Sequence, residues 1–466
     1  MRYLGGFITA SYNPLKVPNA PTIGTVTAGN AQVSVAFTAP SNVGGSAITS
    51  YIVLVRNTST GAVVTGTGSA SPIVVTGLTN GQTYTAQVAA VNSYGPSAFS
   101  AASGSFSYAP RLFSWGSNSI GQLGLNDTVN RSSPVQVGAL TDWAQVASGA
   151  YASFAVKTTG TLWSWGFPSY GRLGQNNLIT LSSPVQIGAL TNWSRAFGGN
   201  QNNAAIKTDG TLWTWGRNND GQLGQNIAYS INRSSPVQVG LLTDWARITI
   251  GSNFCLAVKT TGTLWSWGAN INGQLGQNDI ILRSSPVQVG ALTDWSQVTA
   301  GDNFTIAVKT TGTLWSWGFN GNGQLGRNTY GGAFSSPTQV GALTNWTSVS
   351  AGYNFCVAVK NDGTLWSWGV NSSGQLGLNY GIFPRSSPTQ IGALTDWAQV
   401  SSGQNFCTAI KTTGTLWSWG SNASGRLGQN IAYYINRSSP VQVGSLATWS
   451  LIGQGFRAVN TLATQV

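Results

Sequence analysis

The sequence predicts an all-β chain, a β-sandwich followed by a seven-bladed β-propeller, and three observations carry the prediction. Tryptophan recurs at a fixed period, each period holds short β-rich runs separated by turn signals, and no stretch has convincing helical periodicity. The period is clearest in Gly262-Thr-Leu-Trp-Ser-Trp-Gly268, continuing through Asn270 to Gly273-Gln-Leu-Gly276. The second Trp of each copy falls at Trp115, Trp165, Trp215, Trp267, Trp317, Trp368 and Trp419, at intervals of 50 to 52 residues. Another set, following Thr-Asp or Thr-Asn in most copies, is Trp143, Trp193, Trp245, Trp295, Trp346, Trp397 and Trp449. A third stands two places before the first: Trp163, Trp213, Trp265, Trp315, Trp366 and Trp417, with Phe113 in its place in copy one. These sets account for all 20 tryptophans, so the residue is committed to architecture.

Taken in order, residues 1–16 differ from everything after them. Two glycines, three aromatics and a proline predict an extended, contact-making anchor segment rather than a fold. Residues 17–110 read as one β-sandwich. Ala31-Gln-Val-Ser-Val-Ala-Phe37 and Ser50-Tyr-Ile-Val-Leu-Val55 alternate apolar with polar, and Asn-Val-Gly-Gly at 42–45 and Asn-Gly at 80–81 supply turns. Residues 111–466 form the propeller. Within one unit, Asn253–Lys259 and Thr263–Trp267 are strands joined by Thr-Thr-Gly, Ser285–Val289 is a third and Trp295–Thr299 a fourth. Such a unit cannot bury its apolar face alone, so seven of them stack. The repeat enters midway, at Arg111-Leu-Phe-Ser-Trp-Gly116. The last copy supplies Gln454-Gly-Phe-Arg-Ala-Val459, read as the strand equivalent to Phe254–Val258, and the run 461–466 adds to the seam. Pairing the two ends closes the ring and covers two edges that would otherwise invite aggregation.

Composition removes whole classes of function. Charged residues are only 7% of the chain, and it has no His and no Glu, so most acid–base and metal-binding repertoires are missing. No catalytic residue, metal site or cofactor is expected. Asp142, Asp244, Asp294 and Asp396 share one repeat position with Asn192 and Asn345, which predicts a local turn hydrogen bond rather than proton transfer. Cys255, Cys356 and Cys407 also share one position, too far apart for a disulfide between neighbouring blades. They read as buried thiols acting as small hydrophobes. No segment has the 18 apolar residues of a membrane span. Net charge is +12, which favours anionic partners, but the cations are scattered at repeat positions and do not form a nucleic-acid-binding run. Lys157, Lys207, Lys259, Lys309, Lys360 and Lys411 precede the hairpin turns and are expected to ring one rim, solubilising the strand ends.

Trp-Gly-x-Asn-x-x-Gly-Gln-Leu-Gly, as in Trp215–Gly224, Trp267–Gly276, Trp317–Gly326 and Trp368–Gly377, resembles the repeat of the regulator of chromosome condensation family. That resemblance covers about residues 111–466 and implies a seven-bladed propeller. Pro168 replaces the Asn in copy two, Arg172 and Arg426 replace Gln, and Phe254 and its equivalents stand where the family often has His. The family's nucleotide exchange on a small GTPase uses a wedge that is not visible here, so function has to be argued from the site. Leu78-Thr-Asn-Gly-Gln-Thr-Tyr84 and the alternation after it resemble a fibronectin type III domain, with Leu78 and Tyr84 fitting its tyrosine corner and Phe37 filling the place of its usual Trp. Residues 1–16 resemble the opening of structural proteins of marine tailed phages, which implies a virion anchor contacting other virion proteins.

The segments between Gln-Leu-Gly and Ser-Ser-Pro vary most among copies and should emerge on one side of the ring. They carry Tyr229, Asn232 and Arg233 in copy three, Tyr330 and Phe334 in copy five, Tyr380 and Phe383 in copy six, and Tyr433, Tyr434, Asn436 and Arg437 in copy seven. Tyr, Asn and Arg combine rigid aromatic area with adaptable and charge-assisted hydrogen bonding, which suits recognition. The leading expectation is a non-enzymatic phage virion surface protein, present in several copies on an extracellular particle, whose loops bind host glycan or protein. An architectural virion subunit and a bacterial surface or secreted protein-binding propeller are the alternatives.

Overall fold

The computed structural model describes residues 15–29, 31–79, 81–379, 381–453 and 455–465, and the chain divides into two compact units at Ala109 and Pro110. The expected anchor, residues 1–16, lies outside the described residues except for Leu15 and Lys16. The first unit is a β-sandwich. One sheet has three strands, in the order Thr22–Gly29, Gln32–Thr38, Ile73–Thr76; the other has four, Val63–Gly68, Ser50–Asn57, Tyr84–Asn92 and Gly95–Pro96. The predicted alternation is what puts Val33, Val35, Val53, Val55, Ala86 and Val88 in its core. Phe37 packs on Tyr51 at 4.6 Å between ring centroids. The Tyr84 hydroxyl accepts the Thr79 N–H at 2.9 Å, which makes the tyrosine corner.

In the second unit every blade is a four-stranded antiparallel sheet. Blade three has Trp245–Ile250 innermost, then Phe254–Lys259, Leu264–Gly268 and Arg283–Gln288. Innermost strands of successive blades pack side by side, and that of the seventh packs on that of the first, so the ring is closed. Blade seven is composite: Trp449–Gly453 and Asn460–Gln465 from the C-terminal side, Arg111–Gly116 and Arg131–Gln136 from the other. The closing strand therefore lies later than residues 454–459. Phe456 suggested a match to Phe254, but Asn460 occupies that position, opposite Gly116. The residues before it form a longer turn instead.

The repeated motif is explained by what joins one blade to the next. Each second Trp is fully buried, and its indole N–H donates to a carbonyl of the preceding Gly-Gln-Leu-Gly turn. The bonds run from Trp165 to Gln122 at 3.0 Å, Trp267 to Gln222 at 3.0 Å and Trp317 to Gln274 at 2.9 Å. Trp115 bonds the Arg426 carbonyl at 3.1 Å and so joins the first copy to the last. The last glycine of each turn lies flat on that indole. A Cβ on Gly428 would stand 2.5 Å from the Trp115 nitrogen, at a φ of +69°. Gly428→Ala should therefore cost at least about 2 kcal/mol from overpacking and backbone strain together. Chemical denaturation checks this: a loss below about 0.5 kcal/mol would mean that the seam does not depend on this contact.

Candidate functional site

In an antiparallel four-stranded blade, the loops joining strands one to two and three to four leave at the same end. Seven blades therefore gather fourteen such loops on one face. The longer ones, between strands three and four, are anchored at their base and exposed at their tips. In blade three the Asn270 side-chain oxygen accepts the Leu275 N–H at 2.9 Å, while its amide donates to the Asp279 and Ile281 carbonyls at 3.0 and 3.1 Å. Asp279 pairs with Arg283 at 2.6 Å. Asn278 bonds across to Ser335 of the next blade through its backbone N–H, at 2.8 Å. Above this framework Ile271, Ile280 and Ile281 are exposed.

Most of the sequence-derived site residues do lie on this face, but they divide into two groups. Tyr229, Tyr330, Phe334, Phe383, Tyr433 and Tyr434 are exposed, Phe383 at 73% and Tyr434 at 93%. Tyr380 falls outside the described residues. Two of the exposed tyrosines also brace neighbouring loops, the Tyr330 hydroxyl donating to the Pro384 carbonyl at 3.2 Å and that of Tyr433 to the Asn130 carbonyl at 3.4 Å. The polar candidates each make one hydrogen bond within their own loop. Asn232 and Asn436 accept the backbone N–H of Asn218 and Asn422 at 3.0 and 2.9 Å. Arg233 and Arg437 donate to Gln225 and Gln429 at 3.3 and 3.2 Å.

Sequence reasoning missed the aliphatic part of the face. Leu178, Ile179, Ile271, Ile280, Ile281 and Ile382 stand exposed on these loops. Apolar residues between loop glycines and asparagines, outside any strand alternation, were the available signal. Blade one adds an aromatic cluster, with the Arg172 guanidinium 4.9 Å from the Tyr151 ring centre and Arg217 5.3 Å from that of Tyr170. Burial pulls Arg172 down to about 10, which leaves it charged at neutral pH.

On the opposite end, the lysines are not a solvated rim. Lys207, Lys259, Lys309, Lys360 and Lys411 are buried, each ammonium 3.6–5.1 Å from the centres of two indoles. Asp244, Asp294 and Asp396 meet Lys259, Lys309 and Lys411 at 3.1–3.3 Å, ionic contacts rather than aligned hydrogen bonds. The expected turn bond is made instead by the Asp backbone carbonyl, as from Thr260 N–H to Asp244 at 2.8 Å. In blade five Asn345 stands at the position of these aspartates, and burial lowers the Lys360 pKa. The three thiols are buried and free; burial pushes Cys255 up to about 12 and the other two well above the ordinary range, so they are inert. Among the described residues no group of three or more His, Cys, Asp or Glu is placed to hold a metal ion.

The propeller is thus a closed ring with a repeated framework and one face of variable, apolar-tipped loops. Residues 111–459 match the RCC1-like domain, and residues 19–105 match the fibronectin type III domain. The chain belongs to the RCC1-like domain family, whose propellers are non-catalytic protein-interaction domains. Human probable E3 ubiquitin-protein ligase HERC6 is 34% identical over 122 residues, 24% of this chain and 12% of that protein. The Arabidopsis thaliana ultraviolet-B receptor UVR8 is 31% identical over 128 residues, 27% of this chain and 28% of the receptor. The matched region is thus well under half of either relative. The crystal structure of Prp20p from Saccharomyces cerevisiae superposes with a TM-score of 0.68 at 22% identity, covering 77% of this chain and 92% of that one, a likeness of fold.

These relatives correct the expected function. The kinship lies with eukaryotic regulatory and ligase proteins, and no phage relationship accompanies it. A phage virion protein, a host-glycan receptor surface and a place on an extracellular particle are accordingly withdrawn, and so are the architectural-virion and bacterial-surface alternatives. The phage likeness rested on 16 residues, whereas the specificity of the sequence lies in its seven phased repeats.

The lysine cages are testable. Lys309→Ala should cost about 1–3 kcal/mol, through lost cation–π contact and lost packing of the aliphatic stem. Asp294→Asn, which reproduces the arrangement at Asn192 and Asn345, should cost less than about 1 kcal/mol. Urea titration of both variants decides; equal losses would mean that the carboxylate, not the indole pair, holds the lysine.

Proposed function

We propose that this chain is a non-catalytic protein-interaction module whose propeller engages its partner through the face built by the loops between strands three and four. The observation that carries the reading is the contrast between framework and tips. The loop Asn residues and the second Trp of each copy repeat from blade to blade and are tied down by internal hydrogen bonds, as at Asn270 and Trp317. The exposed positions above them vary between blades, although blades two and six carry nearly the same loop, and many are apolar or aromatic: Leu178, Tyr229, Ile271, Tyr330, Phe383 and Tyr434. Exposed apolar side chains gathered on one face are the composition expected of an interaction surface. A protein of similar fold supports protein partners, since Prp20p is described with binding properties to Gsp1p and histones and is also seen bound to Kap60.

Replacing Ile271, Phe383 and Tyr434 by serine removes apolar area without touching the framework. Quantitative capture from a eukaryotic extract should show a defined set of proteins depleted at least tenfold by this triple variant. The same set should be retained by Leu241→Ser, an exposed substitution on the opposite face. If both variants capture the same proteins at wild-type levels, the loop face is not the partner surface.

A further inference from the structure

The channel along the propeller axis has two unlike ends. On the loop face it is closed by the turn before Asn460. Phe456 is buried, and a Cβ on Gly455 would meet the Ser148 and Gly198 carbonyls at 2.4 and 2.8 Å. Arg457 spans from blade seven to Asp302 of blade four at 2.5 Å and covers the Tyr353 ring of blade five at 4.9 Å. Backbone bonds between neighbouring inner turns, such as Asp302 N–H to Tyr353 at 3.1 Å and Gln404 N–H to Ala458 at 3.0 Å, complete the closure. What remains inside is about 170 Å³, walled largely by Ser, Thr, Ala and Ile.

The other end is set by the third residue of each innermost strand. In blades one, four and six this residue is Gln, which bridges to the backbone of the next innermost strand. Gln145 bonds both backbone groups of Ala196, at 2.8 and 2.9 Å; Gln297 bonds those of Val349 at 3.2 and 3.4 Å; Gln399 donates to Ser450 at 2.8 Å. Blades two and three carry Arg195 and Arg247 there instead. Both are exposed, and among the described residues no carboxylate pairs with either. Desolvation by the wall, and then the charge of Arg195, lower the Arg247 pKa, as expected of two neighbouring cations without a counter-ion. None of the seven innermost strands contains an acidic residue. The carboxylates of Asp244, Asp294 and Asp396 on this side are already engaged by lysine.

We propose that this open mouth is a second binding site, in which Arg195 and Arg247 receive the carboxylates of an acidic, leucine-rich segment of a partner protein. Two adjacent guanidiniums suit bidentate carboxylate recognition. The surroundings select a protein: each blade adds an exposed leucine from the connection entering its first strand, Leu140, Leu242 and Leu446 among them. Two neighbouring cations with no facing carboxylate are complementary to acidic residues, and apolar grooves farther from the axis, such as that of Leu394 with Trp397, Trp417 and Pro440, are complementary to flanking leucines. This site lies on the face opposite the variable loops and does not depend on the reading given to them.

The test uses the full chain and a fluorescein-labelled peptide of alternating Leu and Asp-Asp, with a counterpart carrying Asn for Asp. Anisotropy at low salt should show the acidic peptide binding, weakening steeply as salt is raised, with the Asn peptide at least tenfold weaker. The double variant Arg195→Gln and Arg247→Gln should lose at least tenfold in affinity. Because it installs the residue that blades one, four and six use at this position, it should keep the wild-type melting temperature. Binding should survive Phe383→Ser with Tyr434→Ser on the loop face. Equal affinity of wild type and the Gln double variant, equal affinity for the Asn peptide, or loss of binding in the loop-face variant would each overturn the assignment. So would an absence of binding to the wild type at low salt.

Discussion

The ring depends on one contact made seven times: a buried indole that donates its N–H to a carbonyl of the preceding blade while lying against a glycine of the same turn. Each part of the contact requires the others. The indole needs a polar partner because an unpaired buried N–H is costly. The turn needs glycine because only a residue without a Cβ can adopt its positive φ and still touch the ring. A blade buries too little by itself to be stable, so blade-to-blade contact is the main source of cohesion. The bond from Trp115 to Arg426 then has special standing, because it joins residues 311 apart in sequence and turns a stack of sheets into a closed ring.

With cohesion located between blades, surface positions are released for other work. The loops between strands three and four keep their Asn and Ser anchors and vary only above them. Even there, the anchoring reaches further than residue type suggests. Asn232, Asn436, Arg233 and Arg437 have the chemistry of recognition residues, yet each also lends one hydrogen-bonding group to its own loop. Above these anchors the exposed area is largely aromatic and aliphatic. The two ends of the axis differ in the same spirit: the Arg457–Asp302 pair closes one, while Arg195 and Arg247 leave unpaired positive charge at the other.

The lysine positions show how a low content of charge is used. In a chain with 7% charged residues, the propeller's lysines are not spread over the surface. It places most of its lysines between pairs of indoles, where the ring faces offset much of the lost hydration and an Asp completes the cage in blades three, four and six. Net charge therefore overstates what a partner meets, and the arginines at the axial mouth matter more than the total of +12 implies.

Period and alternation were legible in the sequence because each is a local property repeated many times. The number of blades, four strands per blade, the composite closing blade, the sandwich core and the tyrosine corner all follow from spacing that seven copies or a clean period of two make redundant. Tertiary structure alone decided the rest. The closing strand begins at Asn460 and not near Phe456, because register is set by pairing with Arg111–Gly116, more than 300 residues away in sequence. Whether Lys309 is solvated or caged, whether Arg233 is free or bonded, and whether Arg195 has a counter-ion depend on neighbours supplied by other strands and other blades. A sequence states which groups a residue carries; burial and partnership are fixed only when distant segments are brought together.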